Sequence, residues 1–301
     1  MLSTIDEIRK LNEPPFLFEK DDEIVQIVPD KSPELPKKIK ALSEDAFLSK
    51  LDALIEFKEY KKGEWKPTQP PKYVVKSLRA DLSLLNLPIL ERVVTLPQMA
   101  PNGHVCDEPG YDPVTRTYYS PLPGLVMPKL PDLVSPEDVE KAKSLVHEIL
   151  TDYQFAEDGL NWYGEPCSAS YANAFASICQ GPARSQMRGK YVTPLQIVQA
   201  PLPSSGKSKL CRCTLWAATG QQYSNITPMG KDQHKETDNQ VITALDAAGE
   251  AIYFDNVEND QLNHPIFKKW KTEPYYSGRI MRQHSQITLR NDKISAASIN
   301  N

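Results

Sequence analysis

The sequence predicts an α/β protein in which helices flank a parallel sheet, preceded by a small α+β region and a Pro-rich segment of short strands and turns. Short apolar runs recur at residues 195–199, 251–254 and 294–299, and stretches typical of helices separate them. Strands that alternate with helices favour a parallel sheet with crossover connections. The 26 prolines are unevenly distributed, with most of them before residue 137.

Residues 1–90 are expected to form the small α+β domain. Residues 23–29 alternate between polar and apolar side chains, which predicts a half-buried strand. Ser43, followed by two acidic residues, predicts the start of a helix. Residues 65–72 are interpreted as a loop.

Residues 91–134 are the predicted Pro-rich connector. Proline fixes φ and removes a backbone donor, so short strands and ordered turns are expected there. Residues 92–96 predict a strand, and Asn102-Gly103 and Glu108-Pro109-Gly110 predict turns.

Residues 135–301 are predicted to form the main domain. Ser135, Pro136 and two acidic residues form a helix N-terminus pattern, and residues 168–179 predict a second helix. The run at 195–199, bounded by prolines, predicts a buried strand.

Charge and cysteine content exclude several classes of protein. The 35 basic and 39 acidic side chains give a net charge of −4, which excludes a globally basic nucleic-acid binder but leaves a local basic face open. No apolar run approaches the ~18 residues of a membrane span, and residues 1–7 lack the features of a secretory signal. The five cysteines form no C-x-x-C pair, so a cytoplasmic protein without membrane contact is expected.

The strongest chemical signal lies at residues 200–210, where a strand is expected to end and a helix to begin. Gly206-Lys207-Ser208 matches the end of a phosphate-binding loop, in which backbone N–H groups surround the phosphates, the lysine neutralises them and the hydroxyl binds Mg²⁺. The predicted nucleotide-binding residues are Ser204, Ser205, Gly206, Lys207, Ser208 and Lys209. Pro201 replaces the first glycine of the pattern, and the alternative is a surface turn that contains Gly-Lys-Ser by chance.

Asp255 follows the apolar run 251–254, a pattern typical of an acid that reaches Mg²⁺ through the hydration shell of the metal. Ser208 and Asp255 are therefore the predicted metal residues. Asn256 stands where a catalytic glutamate often follows, which makes Glu258 and Glu236 the candidates for positioning water. The alternatives are a turn or cap for the aspartate and plain solvated acids for the glutamates.

Asn300 and Asn301 close the third apolar run. A polar residue at the end of the strand beside the acid could contact the γ-phosphate or the attacking water, and either asparagine is a candidate. The alternative is a frayed C-terminus.

Residues 261–301 carry seven basic and two acidic side chains. Lys268, Lys269, Lys271 and Arg279 are candidates for DNA or subunit contacts. Trp270, Tyr275 and Tyr276 are interleaved with them, as suits a nucleic-acid backbone with stacked bases. A solvated helix face with aromatic anchors explains the same pattern equally well.

Several of these segments resemble a family of helicase-like P-loop ATPases in the replication proteins of phages and integrated elements. The family patterns are a PGYDP block, an AP-x-x-GSGKT loop, an hhhhDNV strand, a W-x-DRILG segment and an ATGNN strand end. Their counterparts run in the same order, at residues 109–113, 200–208, 254–257, 276–280 and 297–301.

The resemblance implies an ATP- and Mg²⁺-binding ATPase in which Lys207, Ser208, Asp255 and Asn300 or Asn301 act on the nucleotide. It implies single-stranded DNA or a replication protein such as a primase as partner, and a possible homo-oligomer. The family continues past the position of Asn301 with a lid and a basic residue for a neighbouring site, so slow turnover is expected. The alternatives are a non-catalytic module that binds DNA or a replication partner and, less favoured because no Arg-rich lid is found, a small-molecule kinase.

Overall fold

The computed structural model describes most of the chain, namely residues 2–31, 36–128, 130–131, 133–156, 159–160, 166–187, 192–202, 204–220, 223–227, 234–247, 249–258, 261, 265–279 and 286–300. The chain forms two compact units, an N-terminal unit of Met1–Val93 with Glu108–Ser120 and a C-terminal unit of Val94–Asp107 with Pro121–Asn301. The three predicted domains, with boundaries after residues 90 and 134, remain a prediction. The Pro-rich segment contributes to both units.

The elements alternate between helices and strands along the chain. Up to residue 120 they are α1 (Leu2–Leu11), β1 (Leu17–Lys20), β2 (Glu23–Val28), β3 (Lys38–Ala41), α2 (Glu44–Leu54), β4 (Phe57–Lys61), β5 (Glu64–Thr68), α3 (Lys72–Ala80), a 3₁₀ helix (Leu82–Leu84), β6 (Arg92–Val94), β7 (Gln98–Met99), β8 (Val105–Cys106), β9 (Gly110–Asp112) and β10 (Thr117–Tyr119). From residue 136 onward they are α4 (Pro136–Leu150), β11 (Gly159–Leu160), β12 (Pro166–Cys167), α5 (Ala169–Met187), β13 (Leu195–Gln199), α6 (Lys207–Thr219), β14 (Tyr223–Ile226), α7 (His234–Asp246), β15 (Ala251–Glu258), α8 (Pro265–Thr272), β16 (Tyr275–Arg279), β17 (Gln286–Arg290) and β18 (Ile294–Asn300). In the part of the chain that is described, no helix is long and apolar enough to cross a membrane.

The N-terminal unit contains the antiparallel sheet β1–β2–β3. The strand predicted at 23–29 is present as β2, but the expected half-burial is wrong, because the adjacent residues Ile24 and Val25 are both buried. Ile24 packs with Phe47 of α2, whereas Val25 packs with Leu90 in a second cluster. A sheet that is covered on both faces buries consecutive residues, so the alternation in sequence did not report its burial.

Helix α2 begins where the sequence predicts. The Ser43 side chain accepts a hydrogen bond from the Ala46 N–H group at 3.2 Å. The loop predicted at 65–72 is wrong, since these residues are divided between β5 and the start of α3. Strand β5 tolerates Pro67 because the β4–β5 sheet has only two strands, and each of them is therefore an edge.

The C-terminal unit contains the predicted parallel sheet, with the order β13–β18–β15–β14 in the described residues. Strand β18 lies between β13 and β15, so the carboxyl ends of all three meet at one edge. Helices cover both faces: Cys211 of α6 packs with Tyr253, and Val241 of α7 and Trp270 of α8 pack with Phe254. A mixed α/β fold with a helix-flanked parallel sheet is thus confirmed.

Strand β13 differs from its prediction in burial. It forms at 195–199, but none of its residues is fully buried and Ile197 is 41% exposed. No described strand pairs with its outer side, which makes β13 an edge of the described sheet. Its partial exposure follows from this edge position and from a cavity that it lines.

Helices α4 and α5 pack beside the sheet. As predicted, α4 starts at Ser135, which forms a capping box with Asp138. Helix α5 is longer than predicted and continues through Pro182 to Met187. A Cβ atom at Gly181 would lie 1.6 Å from the Ala218 carbonyl oxygen, so this glycine permits close approach of α5 to α6.

The last turn of α5 is anchored by a buried ion pair. Arg184 pairs with the carboxylate of Glu250 just before β15. Its guanidinium also donates to the backbone carbonyls of Glu250, at 3.2 Å, and of Asp292, at 3.4 Å. One side chain therefore ties α5 to the starts of two neighbouring strands.

Candidate phosphate-binding site

The candidate site begins where β13 ends and α6 starts. The N-cap residue of α6 is Gly206, which has no side chain to cap the helix. The first N–H groups of a helix lack partners within the helix, and the helix dipole is positive at this end. The N-terminus of α6 can therefore bind an anion such as a phosphate group. Pro203 of this loop lies outside the described residues.

Two residues of the loop have left-handed backbone. Gly206 has a φ of +88° and Ser204 a φ of +57°. A residue with a side chain pays about 1–2 kcal/mol in this region, which favours glycine. Gly206 meets that requirement, and Ser204 stands where the resembled loop pattern has a glycine.

Gly206→Ala is expected to lower the free energy of unfolding of the C-terminal unit by about 1–2 kcal/mol, because alanine is strained at positive φ. The new Cβ would meet only the Tyr153 ring, at 3.9 Å, so the cost is backbone strain and not a clash. The matched change Ser204→Gly should stay within about 0.5 kcal/mol of wild type, since relief of strain is offset by a more flexible unfolded chain. Urea denaturation measures both, and an unaffected Gly206→Ala protein would contradict this loop geometry.

The first residues of α6 direct their side chains to different places. The Nζ atom of Lys207 lies 3.4 Å from the Leu202 carbonyl oxygen, so the ammonium group lies over the loop. Ser208 interacts with the hydroxyl of Tyr253 on β15. Lys209 is exposed and adds to the site only a backbone N–H group of the first turn.

Asp255, near the carboxyl end of the β15 core, belongs to a hydrogen-bonded cluster. The Tyr253 hydroxyl lies 2.8 Å from Asp255 Oδ1 and 2.7 Å from Ser298 Oγ, and Ser298 Oγ lies 3.3 Å from the same carboxylate oxygen. Burial raises the pKa of Tyr253 to about 12, so its hydroxyl keeps its proton and donates to Asp255 at neutral pH. Since Ser208 contacts this hydroxyl, Tyr253 connects the loop helix to the strand acid.

Arg212 is a further member of the cluster. Its Nη2 atom lies 3.8 Å from Asp255 Oδ2, and its guanidinium carbon lies 5.7 Å from the centre of the Tyr253 ring. With 51% of the side chain exposed, the ion pair contributes little to stability. Sequence reasoning missed Arg212, Tyr253 and Ser298. Spacing was a usable signal for the first two, because Arg212 follows Ser208 by four helical residues and Tyr253 precedes Asp255 by two strand residues.

Asn256 lies in an irregularity of β15. The register between β15 and β18 shifts between Phe254 and Val257, and Asn256 has a φ of +55°. Its backbone N–H donates to Ser298 Oγ at 3.3 Å. Asparagine tolerates this conformation better than most residues, which gives a backbone reason for the residue after the acid.

The other predicted catalytic groups are only partly described. Asn300 pairs through its backbone with Glu258, but its side chain and the whole of Asn301 lie outside the described residues. Glu258 is exposed, and Glu236 lies in the first turn of α7. The roles assigned to these residues therefore stay predictions.

A cavity of about 610 Å³ adjoins the loop. It is lined by α5, by β13 and by residues 153–156, and Ser205, Gly206 and Lys207 form its loop end. Its volume is within the range of about 300–1,000 Å³ of small-molecule sites. A ligand with an anionic group at α6 has room for its remaining part in this cavity.

The predicted basic surface is divided by the fold. Lys268 and Lys271 are exposed on α8, whereas Lys269 donates to the Ser277 carbonyl at 3.1 Å and lies over the Tyr276 ring. The side chain of Arg279 lies outside the described residues. The alternative of aromatic anchors holds for Trp270 and Tyr276, which are buried, while Tyr275 is 54% exposed.

No model of a known protein family matches this chain, and no curated protein matches it. Its fold and site define a mixed α/β protein with an uncapped helix N-terminus at the edge of a parallel sheet. A lysine lies over the adjoining loop, and a carboxylate lies at the end of a neighbouring strand.

Proposed function

We propose that the protein is an ATP-binding, helicase-like P-loop ATPase that acts in the DNA replication of a phage or an integrated mobile element. The observation that carries the proposal is the contact chain from Ser208 on the loop helix through Tyr253 to Asp255. It places the hydroxyl and the acid that the motif requires in one cluster, although they are far apart in sequence.

The residues present suit ATP with Mg²⁺. The backbone N–H groups from Ser204 to Lys209 would bind the phosphates and Lys207 would neutralise them. Ser208 and Asp255 supply the hard oxygen ligands that Mg²⁺ prefers alongside nucleotide phosphates and water. When bound, Mg²⁺ would neutralise the charge that develops on the transferred phosphoryl group. Tyr253 and Ser298 would hold the Asp255 carboxylate in place through their hydrogen bonds.

The strand order supports the same proposal. Strand β18, which ends at Asn300, lies between the loop strand β13 and the acid strand β15. A polar group at its end is therefore adjacent to both halves of the site. This is the position from which Asn300 or Asn301 would contact the γ-phosphate or the attacking water.

The second candidate function is a non-catalytic module that binds DNA or a replication partner. It is favoured by Asn256, because an amide cannot act as the general base that a glutamate beside the acid would provide. The two candidates share the nucleotide site and differ in turnover.

DNA, and single-stranded DNA in particular, is the proposed partner, with a replication protein such as a primase as the other possibility. Lys268 and Lys271 present two cations on the exposed face of α8. Since Trp270 and Tyr276 are part of the core, this face would contact phosphates and not stack bases. Arg279 is retained as a candidate for a contact to DNA or to a second copy of the chain.

The proposed activity is tested by steady-state ATP hydrolysis with Mg²⁺, with and without single-stranded DNA. We expect slow turnover, because Asn256 provides no general base, and a loss of at least about tenfold in Asp255→Ala, because the metal site loses its carboxylate. Removal of Mg²⁺ with a chelator should have the same effect as the mutation. The double variant Lys268→Ala/Lys271→Ala should keep the basal rate and lose DNA binding and any stimulation by DNA.

Arg212→Ala is the matched control for Asp255→Ala, since it removes the partner of the carboxylate and leaves the acid in place. Equal turnover in wild type and Asp255→Ala would contradict the proposed ATPase. ATP binding without turnover, together with DNA binding, would instead favour the non-catalytic module.

A further inference from the structure

The cavity beside the loop has a lining that selects among ligands. On α5, the polar residues Ser170, Asn173, Ser177 and Gln180 recur at intervals of three and four, so one stripe of the helix lines the cavity. Tyr153 and Phe155 line it from the segment after α4. The cavity thus combines aromatic surface with side-chain amides and ends at the N-terminus of α6.

The charge of the lining is informative. Among the described residues that line the cavity, Lys207 at the loop is charged, and none is an aspartate, a glutamate or an arginine. Guanine offers adjacent N–H donors that a carboxylate would pair, and an acceptor edge that arginine or lysine reads well. Adenine offers one amino donor beside a ring nitrogen acceptor, which the amide of Asn or Gln pairs with two hydrogen bonds.

Gln180 is the amide with an unmet requirement. Its Oε1 atom is buried and has no hydrogen-bond partner among the described residues. By contrast, Gln196, which also lines the cavity, already accepts a hydrogen bond from Thr214 Oγ1 at 2.7 Å through its own Oε1. A buried acceptor without a partner is costly, and an amino group of a bound ligand would remove that cost.

We infer that this cavity holds the base of the nucleotide and that Gln180 makes the site selective for adenine over guanine. The inference rests on the proposed function, since it takes the triphosphate to lie at the α6 N-terminus. Tyr153 and Phe155 provide the apolar surface against which a planar base packs. The Gln180 amide accepts from the adenine amino group and donates to the neighbouring ring nitrogen.

The test is the affinity of the full chain for ATP, GTP and inorganic tripolyphosphate, each with Mg²⁺, measured by isothermal titration calorimetry. We expect wild type to bind ATP at least about tenfold more tightly than GTP. Gln180→Leu should bring the two nucleotides within about threefold by weakening ATP, and it should leave tripolyphosphate binding unchanged. Gln180→Glu should shift the preference toward GTP, because a carboxylate accepts from both guanine donors.

The outcomes separate the inference from the proposed function. Equal wild-type affinities for ATP and GTP, with intact tripolyphosphate binding, would overturn the inference and leave the proposed function standing. Preference for ATP that survives in Gln180→Leu would overturn the role of Gln180. Absence of binding for all three compounds would overturn the proposed function and the inference with it. Circular dichroism confirms that each variant is folded, and the wild-type ratio of ATP to GTP affinity tests the base preference if a variant does not fold.

Discussion

Arg184→Ala is expected to lower the free energy of unfolding of the C-terminal unit by about 3–5 kcal/mol, a large part of the 5–15 kcal/mol that is typical of a folded domain. The substitution leaves the Glu250 carboxylate nearly buried without its cation, and it removes the donors to the carbonyls of Glu250 and Asp292. Urea denaturation followed by tryptophan fluorescence measures the change, since Trp270 is in the core of this unit.

The matched control is Arg212→Ala, which removes the same side chain from another ion pair with a carboxylate. Because Arg212 is largely exposed and its contact to Asp255 is 3.8 Å, the cost should be no more than about 1 kcal/mol. A similar cost for the two variants would contradict the assignment of Arg184 as the buried anchor between α5 and the sheet.

The central sheet could be predicted from the sequence because its middle strands are buried on both faces. Residues 251–254 and 294–299 are continuous apolar runs, and this is the pattern that a covered parallel strand requires. Residues 195–199 show a similar run but form an exposed edge strand. Which strand lies at the edge depends on the order of strands, and a run of apolar residues carries no information on that order.

Local signals also failed where packing overrides them. Gly181-Pro182 favours a helix end, yet α5 continues because Gly181 packs against the Ala218 carbonyl and Arg184 is anchored in the next turn. In the N-terminal unit, Pro67 favours a loop, but a two-stranded hairpin accepts proline at an edge.

The site shows the same division. The loop residues and Asp255 are recognisable because the chemistry of phosphate and Mg²⁺ demands particular residue types at particular spacings. Ser298 and Gln180 carry no such local signal. Ser298 matters only because β18 lies beside β15, and Gln180 only because α5 borders the cavity.

The most direct test of the account is the affinity for ATP with Mg²⁺, measured by isothermal titration calorimetry on wild type, Lys207→Ala and Lys209→Ala. We expect Lys207→Ala to weaken binding by about 10- to 100-fold, the effect of losing a charge-assisted hydrogen bond to phosphate. Lys209→Ala removes an equal charge two residues away on an exposed side chain and should stay within about threefold of wild type. Saturable wild-type binding that is lost in Lys207→Ala and kept in Lys209→Ala is the predicted result, and equal affinities in all three proteins would contradict a phosphate site at the N-terminus of α6.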